Sequence, residues 1–251
     1  MEPWLDEAEA AVARVGNPAR LWKEADRAGV RIVSLIAFPE WAADDVARRS
    51  AGLEKARQVA ELAGALGCRW FAAPPAGATG QPIATALLAE RYWRLAEVCA
   101  PSGVRPMLEI WGFSANLRTL ADALAVAAAS GVDQPAILAD VYHLVRGSSP
   151  LSGLSLLGGQ AAPVFHMNDV PAGVASDRMT DAQRVVPGDG CAPLEGMLAR
   201  LLANGFAGHL SVELFRDDLW GMEPVALATT CRRRMAAILS RAERLSTSAK
   251  E

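Results

Sequence analysis

The chain has 251 residues, 51% of them hydrophobic and 21% charged, with a formal net charge of −3 at pH 7. So apolar a chain can bury a sizeable core, which excludes intrinsic disorder, and its length suits a single α/β barrel-sized domain over residues 1–251. The slightly acidic balance lacks the electrostatic footprint of a nucleic-acid binder, although 22 of the 25 basic residues are arginine.

The opening segment, MEPWLDEAEA, carries acids where a secretory signal carries a basic segment and an apolar run. No later stretch supplies the roughly 18 uninterrupted apolar residues of a membrane span. The expectation is a cytoplasmic protein that engages neither membrane nor nucleic acid. The four cysteines, Cys68, Cys99, Cys191 and Cys231, include no CxxC pair, so they read as buried structural thiols.

Helical stretches alternate with short apolar runs along the chain. Residues 17–29 read as a helix closed by Gly29, followed by VRIVSLIAF (30–38), a continuous apolar run of strand length. The unit recurs as helix 43–66 before RWFAA, helix 82–100 before VRPMLEIWGF, and helix 117–130 before PAILADVY. A short helix within 146–160 leads into APVFHMNDV, helix 193–204 leads into HLSVELF, and a last helix spans about 223–245. Strands apolar on both faces, separated by helices, define an α/β fold with about six parallel strands and helices outside.

Strands of this kind are buried, so an ionisable residue at a strand's C-terminal end requires a reason. Four strands carry one: Glu109 in PMLEIWGF, Asp140 in ILADVYH, His166 in PVFHMND and Glu213 in LSVELF. In a barrel the C-terminal strand ends converge on one face, so residues far apart in sequence can meet. Two glutamates, an aspartate and a histidine at one point repel unless a cation neutralises them. One divalent ion is therefore expected, and the donor mix leaves Mn²⁺, Co²⁺, Zn²⁺ and Mg²⁺ open. His143, three residues after Asp140, Asp169, three after His166, and Arg184, just before the loop VVPGDG, stand beside these four in the pattern. Trp41 and Trp111 suit the C–H face of a sugar ring, and packing or oligomer contacts explain them equally well. HExxH, GxxxxGK, a complete nucleophile elbow and a dinucleotide fingerprint are all missing from the sequence.

These segments resemble the xylose-isomerase-like TIM-barrel superfamily, most strongly over residues 106–215, and the stretch from RVVPGDG to HLSVELFRDD is most similar to its 2-keto-myo-inositol isomerase group. The resemblance implies metal ligation by Glu109, Asp140, His166 and Glu213, and proton transfer by Glu109 and Glu213. It implies substrate contacts by His143 and Arg184, with Asp169 and Trp111 alongside. The expected activity is isomerisation or epimerisation of a keto-sugar or inosose, by proton abstraction beside a metal-bound carbonyl. An inosose dehydratase would use the same site. Abasic-site endonucleases of the superfamily use many histidines, and this chain has three. A full barrel has eight strands, and residues 1–4 resemble the tail of the family's second strand. The expectation is a barrel lacking its first two strands, whose open sheet edges invite pairing with a second copy. A non-catalytic barrel that binds a sugar or a partner is the remaining alternative.

Overall fold

Each buried apolar run becomes a strand of a parallel sheet. In a computed structural model that describes residues 1–248, β1 (Ser34–Leu35), β2 (Trp70–Ala73), β3 (Arg105–Glu109), β4 (Ala136–Asp140), β5 (Val164–Met167) and β6 (His209–Val212) follow one another in chain order. Every described pairing between these strands is parallel. The α-helices are α1 (Leu5–Val15), α2 (Pro18–Arg27), α3 (Val46–Ala65), α4 (Thr85–Cys99), α5 (Leu120–Ala129), α6 (Val141–Arg146), α7 (Leu194–Ala203), α8 (Asp217–Trp220) and α9 (Pro224–Ser248). Strand and helix alternating in this way with parallel pairing is the TIM-barrel type of fold. None of the described helices is long and apolar enough to cross a membrane.

The chain forms two compact units and passes between them five times from residue 109 to residue 138, the last time within β4. The first comprises Met1–Glu109, Ser114–Leu117 and Asp122–Ile137. Its helices start and stop where their sequences dictate. Asn17 caps α2 by accepting the Arg20 amide at 2.9 Å with Pro18 as the first helical residue, and Asp45 caps α3 by accepting the Arg48 amide at 2.7 Å. Gly29 and Gly67, at the stops after α2 and α3, take φ of 70° and 75°, a left-handed conformation that a residue with a Cβ resists.

Of the apolar run 30–38, only Ser34 and Leu35 form the ladder to β2. On the other side of the run, the Val33 and Ile36 amides donate to the Met1 and Pro3 carbonyls at 3.0 Å, and Trp4 bridges Ile36 in parallel. Residues 1–4 therefore lie strand-like beside β1. Trp41 is fully buried and donates its indole N–H to the Pro74 carbonyl at 2.6 Å, which settles its role as packing. Cys68, Cys99 and Cys231 are buried as expected, whereas Cys191 is exposed because it sits in the loop after β5.

The second unit comprises Ile110–Phe113, Arg118–Ala121 and Leu138–Glu251. β5 is buried throughout, its register to β6 runs from Val164 opposite His209 to Met167 opposite Val212, and β6 is half-exposed. Two expected boundaries move. Val141 and Tyr142, expected to continue a strand, open α6, because the Asp140 side chain caps that helix at the strand's last residue. The short helix expected within 146–160 is a 3₁₀ helix over Leu151–Leu156.

Candidate metal centre and active site

Asp140 is both the end of β4 and the N-cap of α6. Its Oδ1 accepts the His143 amide at 2.9 Å, the N3 donor that an N-cap ordinarily satisfies. The Asp-x-x-His spacing is thus a capping geometry, which leaves Oδ2 facing the centre of the unit. There Oδ2 accepts from Asn168 Nδ2 at 2.8 Å and from Arg184 Nη1 at 2.8 Å.

β5 supplies His166 directly, and two residues on, at the side-chain period of a strand, comes Asn168. At the end of β6 the Glu213 amide donates to the Met167 carbonyl at 3.2 Å, which seats the Glu213 side chain beside that of His166. His166 Nδ1 lies 3.3 Å from Glu213 Oε2 and 3.8 Å from Asp140 Oδ2. Asp140, His166 and Glu213 each offer one ligand atom, and these atoms lie within 4.8 Å of one another. The Asp140 and His166 side chains are 0% and 1% exposed and that of Glu213 is 12%, so Glu213 is the member that reaches solvent. Burial alone would raise the Glu213 carboxyl, but the neighbouring His166 and Arg184, by charge and hydrogen bonding, hold it down at about 2.

Two carboxylates and one imidazole form the N/O donor set that Zn²⁺, Mn²⁺ and Co²⁺ take, and three protein ligands leave positions for a substrate. These residues fit a divalent cation. Glu109, expected as a fourth ligand, is the buried last residue of β3 and belongs to the first unit. The group assembled within the second unit has three members.

Arg184 is the hub of this centre. It is 1% exposed, and Nη1 donates to Asp140 Oδ2 at 2.8 Å and Glu213 Oε2 at 2.7 Å. Nη2 and Nε donate to Asp181 Oδ1 at 2.7 and 3.2 Å, and Nη2 also faces His143 Nε2 at 3.2 Å. Four N–H groups of the guanidinium therefore donate to carboxylates and the fifth faces the His143 ring, although the family resemblance assigns Arg184 a substrate contact. Its faces lie against Tyr142 and Phe215, with the guanidinium carbon 4.6 and 4.9 Å from the two ring centroids.

Asp169, expected beside the substrate contacts, faces its own backbone. Its carboxylate accepts four backbone amides: Val170 and Ala192 on Oδ1, both at 2.9 Å, and Gly188 and Gly190 on Oδ2, at 3.0 and 3.1 Å. Four donors match the lone pairs of both oxygens, so in this structure the Asp169 carboxylate is engaged by its own backbone and holds the VVPGDG loop. The Asp169 and Val185 backbones also pair in both directions, at 2.9 and 3.0 Å, which fixes Arg184 next door.

His143 is buried, and desolvation, with Arg184 adding to it, pushes its imidazole down to about 3, so the ring is neutral. The Gly112 amide points at Nδ1 at 3.3 Å, on the edge away from Arg184, and since a neutral imidazole has one acceptor nitrogen the ring accepts from Gly112 or from Arg184 Nη2 but not from both. Trp111 stacks on Phe113 at 5.3 Å between centroids, and Phe113 in turn lies 5.9 Å from the His143 ring. Trp111 thus reaches the centre through Phe113, which is 44% exposed. Sequence reasoning missed Asn168, Phe113, Tyr142, Asp181 and Phe215. Only Asn168 had a signal, its two-residue offset from His166.

A fold of parallel strands and helices with this centre places the chain in a known class. The model of the xylose isomerase-like TIM barrel family matches residues 2–237, and the chain belongs to that family. It is 29% identical to the inosose isomerase of Halalkalibacterium halodurans over 151 residues, which are 59% of this chain and 52% of that protein. The chain therefore spans about half the length of the curated inosose isomerases it matches. A 3-dehydroshikimate dehydratase of Pseudomonas aeruginosa is 30% identical over 144 residues, 57% of this chain and 22% of that protein. Among solved structures, the fold is shared with the IOLI protein with a binding zinc atom, at a TM-score of 0.86 and 20% identity over 96% of this chain and 88% of that one. It is also shared with L-ribulose 3-epimerase, at a TM-score of 0.76 and 22% identity over 94% of this chain and 84% of that one.

Proposed function

We propose that the chain is a divalent-metal-dependent isomerase or epimerase of a keto-sugar or inosose, with Asp140, His166 and Glu213 as ligands. The observation that carries this reading is the convergence of two carboxylates and one imidazole within 4.8 Å at the ends of three successive strands. The inosose isomerase relatives and the zinc of the structurally similar IOLI protein support it.

A cation bound there would polarise a substrate carbonyl and its neighbouring hydroxyl, acidifying the C–H between them. Glu213 is the base in this reading. It is the most exposed of the three ligands, and it is ionised at neutral pH because Arg184 and His166 hold its carboxyl down. Glu109 is the partner that returns the proton, on the strength of the family resemblance and its place at the end of a parallel strand. The family resemblance gives His143 a substrate oxygen to orient, and Trp111 and Phe113 supply an apolar wall beside it.

The test is solvent exchange. The full chain, loaded with Mn²⁺, Co²⁺ or Zn²⁺, is incubated in D₂O with a panel of keto-sugars and inososes, and α-deuteration is followed. Incorporation that disappears in Glu213→Gln and in Glu109→Gln supports the reading, while full turnover in Glu213→Gln sinks it. The dehydratase match favours a second outcome at the same site, in which deuterium uptake is accompanied by loss of water from the product.

A further inference from the structure

The donors around Asp140 and Glu213 leave little room on the oxygens that a cation needs. Asp140 Oδ2 already accepts two hydrogen bonds, one from Asn168 Nδ2 and one from Arg184 Nη1, each at 2.8 Å. A carboxylate oxygen has two lone pairs, so a metal that takes this oxygen displaces one of those donors. Asn168 is the harder to move. It is fully buried, and its Oδ1 is held by the Tyr142 amide at 2.8 Å. Arg184 Nη1 is shared with Glu213 Oε2 at 2.7 Å, the same oxygen that faces His166 Nδ1. The guanidinium thus sits on both carboxylates of the ligand group at once, and it carries a charge of the same sign as the cation.

We infer that Arg184 is an internal competitor of the metal: its Nη1 occupies the Asp140 and Glu213 oxygens that a divalent cation would take, keeping the carboxylates assembled at the expense of metal affinity. The inference rests on the proposed metal site. Asp181, which binds Nη2 and Nε, and the flanking Tyr142 and Phe215 rings hold the guanidinium in this position. They define where Arg184 is anchored when Nη1 gives way, since none of these contacts involves Nη1.

The competition has a signature that a purely structural arginine lacks. Replacing Arg184 by a neutral side chain leaves Asp140 and Glu213 to repel each other, so the metal-free protein loses stability. The same change removes a cation from beside the metal and frees an oxygen lone pair, so zinc binds more tightly. Loss of packing alone would lower both.

The experiment uses the full chain stripped with a chelator, measuring zinc affinity against a chromogenic chelator and the metal-free thermal midpoint. Arg184→Met is expected to bind zinc about tenfold more tightly, the order set by removing a unit charge next to a dication, while melting at a lower temperature without metal. Arg184→Lys keeps the charge but loses the fork that anchors the guanidinium on Asp181, and it is expected to fall between wild type and Arg184→Met on both readouts. Should Arg184→Met fail to fold, the lysine variant decides. Zinc affinity unchanged or weakened in the folded variants, with wild type binding zinc, overturns the competition and leaves the metal site standing. Zinc uptake by none of the three proteins overturns the metal site and the competition together.

Discussion

Asn168 donates to Asp140 Oδ2 at 2.8 Å while its own Oδ1 accepts the Tyr142 amide at 2.8 Å. One buried amide thereby ties the residue after β5 to the end of β4 and to the first turn of α6, and its Nδ2 also approaches the Glu213 carbonyl at 3.4 Å. Asn168→Ala leaves the buried Tyr142 amide unmet, while Asp140 Oδ2 loses one of its two donors and keeps Arg184. The expected loss is about 1 to 3 kcal/mol, the cost of one unsatisfied buried group, read from urea denaturation. Asn168→Asp keeps an acceptor for the Tyr142 amide but sets a second carboxylate against Asp140, so it is expected to be destabilised at neutral pH and to recover part of the loss as the medium is acidified.

The Asp169 cradle gives a sharper test of loop anchoring. Asp169→Asn turns one of the two acceptor oxygens into an N–H₂ that faces backbone donors. A loss of about 2 to 4 kcal/mol is expected from the hydrogen bonds removed and the donors left unmet, together with faster amide hydrogen exchange at Gly188, Gly190 and Ala192. Gly190→Ala approaches the same cradle from the loop side, because an added Cβ would press on the Val170 carbonyl oxygen and the Asp169 carboxylate. Both variants are expected to loosen Arg184 through its neighbour Val185. Unchanged exchange at those amides in Asp169→Asn would refute the anchoring role.

Much of the centre was legible because its chemistry conflicts with its location. Charged residues at the ends of apolar strands drew attention to Asp140, His166 and Glu213, and alternation with helices fixed the sheet. The limits are equally physical. Asp169 and Asp140 look alike in sequence, each near a strand end and a glycine or helix that follows. Whether a carboxylate faces a ligand or its own backbone depends on how the next loop folds over it, and residues 184–192 fold onto Asp169 from a distance in sequence. Tyr142 was read as strand because the apolar run continues through it. The capping bond of Asp140 overrides that run, and the helix turns the Tyr142 ring onto Arg184. Trp41 carried no sequence signal to separate a sugar wall from core, and the 2.6 Å bond to Pro74 decides for core.

His143 should set a pH dependence in a window free of ordinary carboxylates. Its imidazole is held at about 3 in the folded protein, below its ordinary value of 6.5, chiefly by burial. Between those two values the unfolded chain binds the proton and the folded one does not, so acidification favours unfolding. The stability contribution is complete above pH 6.5 and lost progressively below it, with a slope of at most about 1.4 kcal/mol per pH unit for one proton. The difference in unfolding free energy between wild type and His143→Gln, followed from pH 7 to pH 5, is expected to shrink with that sign. A difference independent of pH across this range would show that the ring titrates normally.

Folding and metal uptake are expected to separate at Glu213 and to stay joined at Asp140. Asp140 caps α6, accepts from Asn168 and pairs with Arg184, so Asp140→Ala removes three buried interactions. Breaking a buried ion pair by removing one partner is destabilising by about 3 to 5 kcal/mol, and losing an N-cap adds about 1 kcal/mol. Asp140→Asn retains the cap, because asparagine accepts at the N-cap as well as aspartate does, and should recover that last fraction without recovering zinc binding. Glu213 sits on a half-exposed strand, and Arg184 keeps Asp140 and Asp181 when it is replaced. Glu213→Gln is therefore expected to unfold within about 1 to 2 kcal/mol of wild type, the scale of one charge-assisted hydrogen bond, yet to lose zinc. Parallel urea titrations and zinc competition on the three variants check this. Glu213→Gln that binds zinc as wild type does would remove Glu213 from the ligand set.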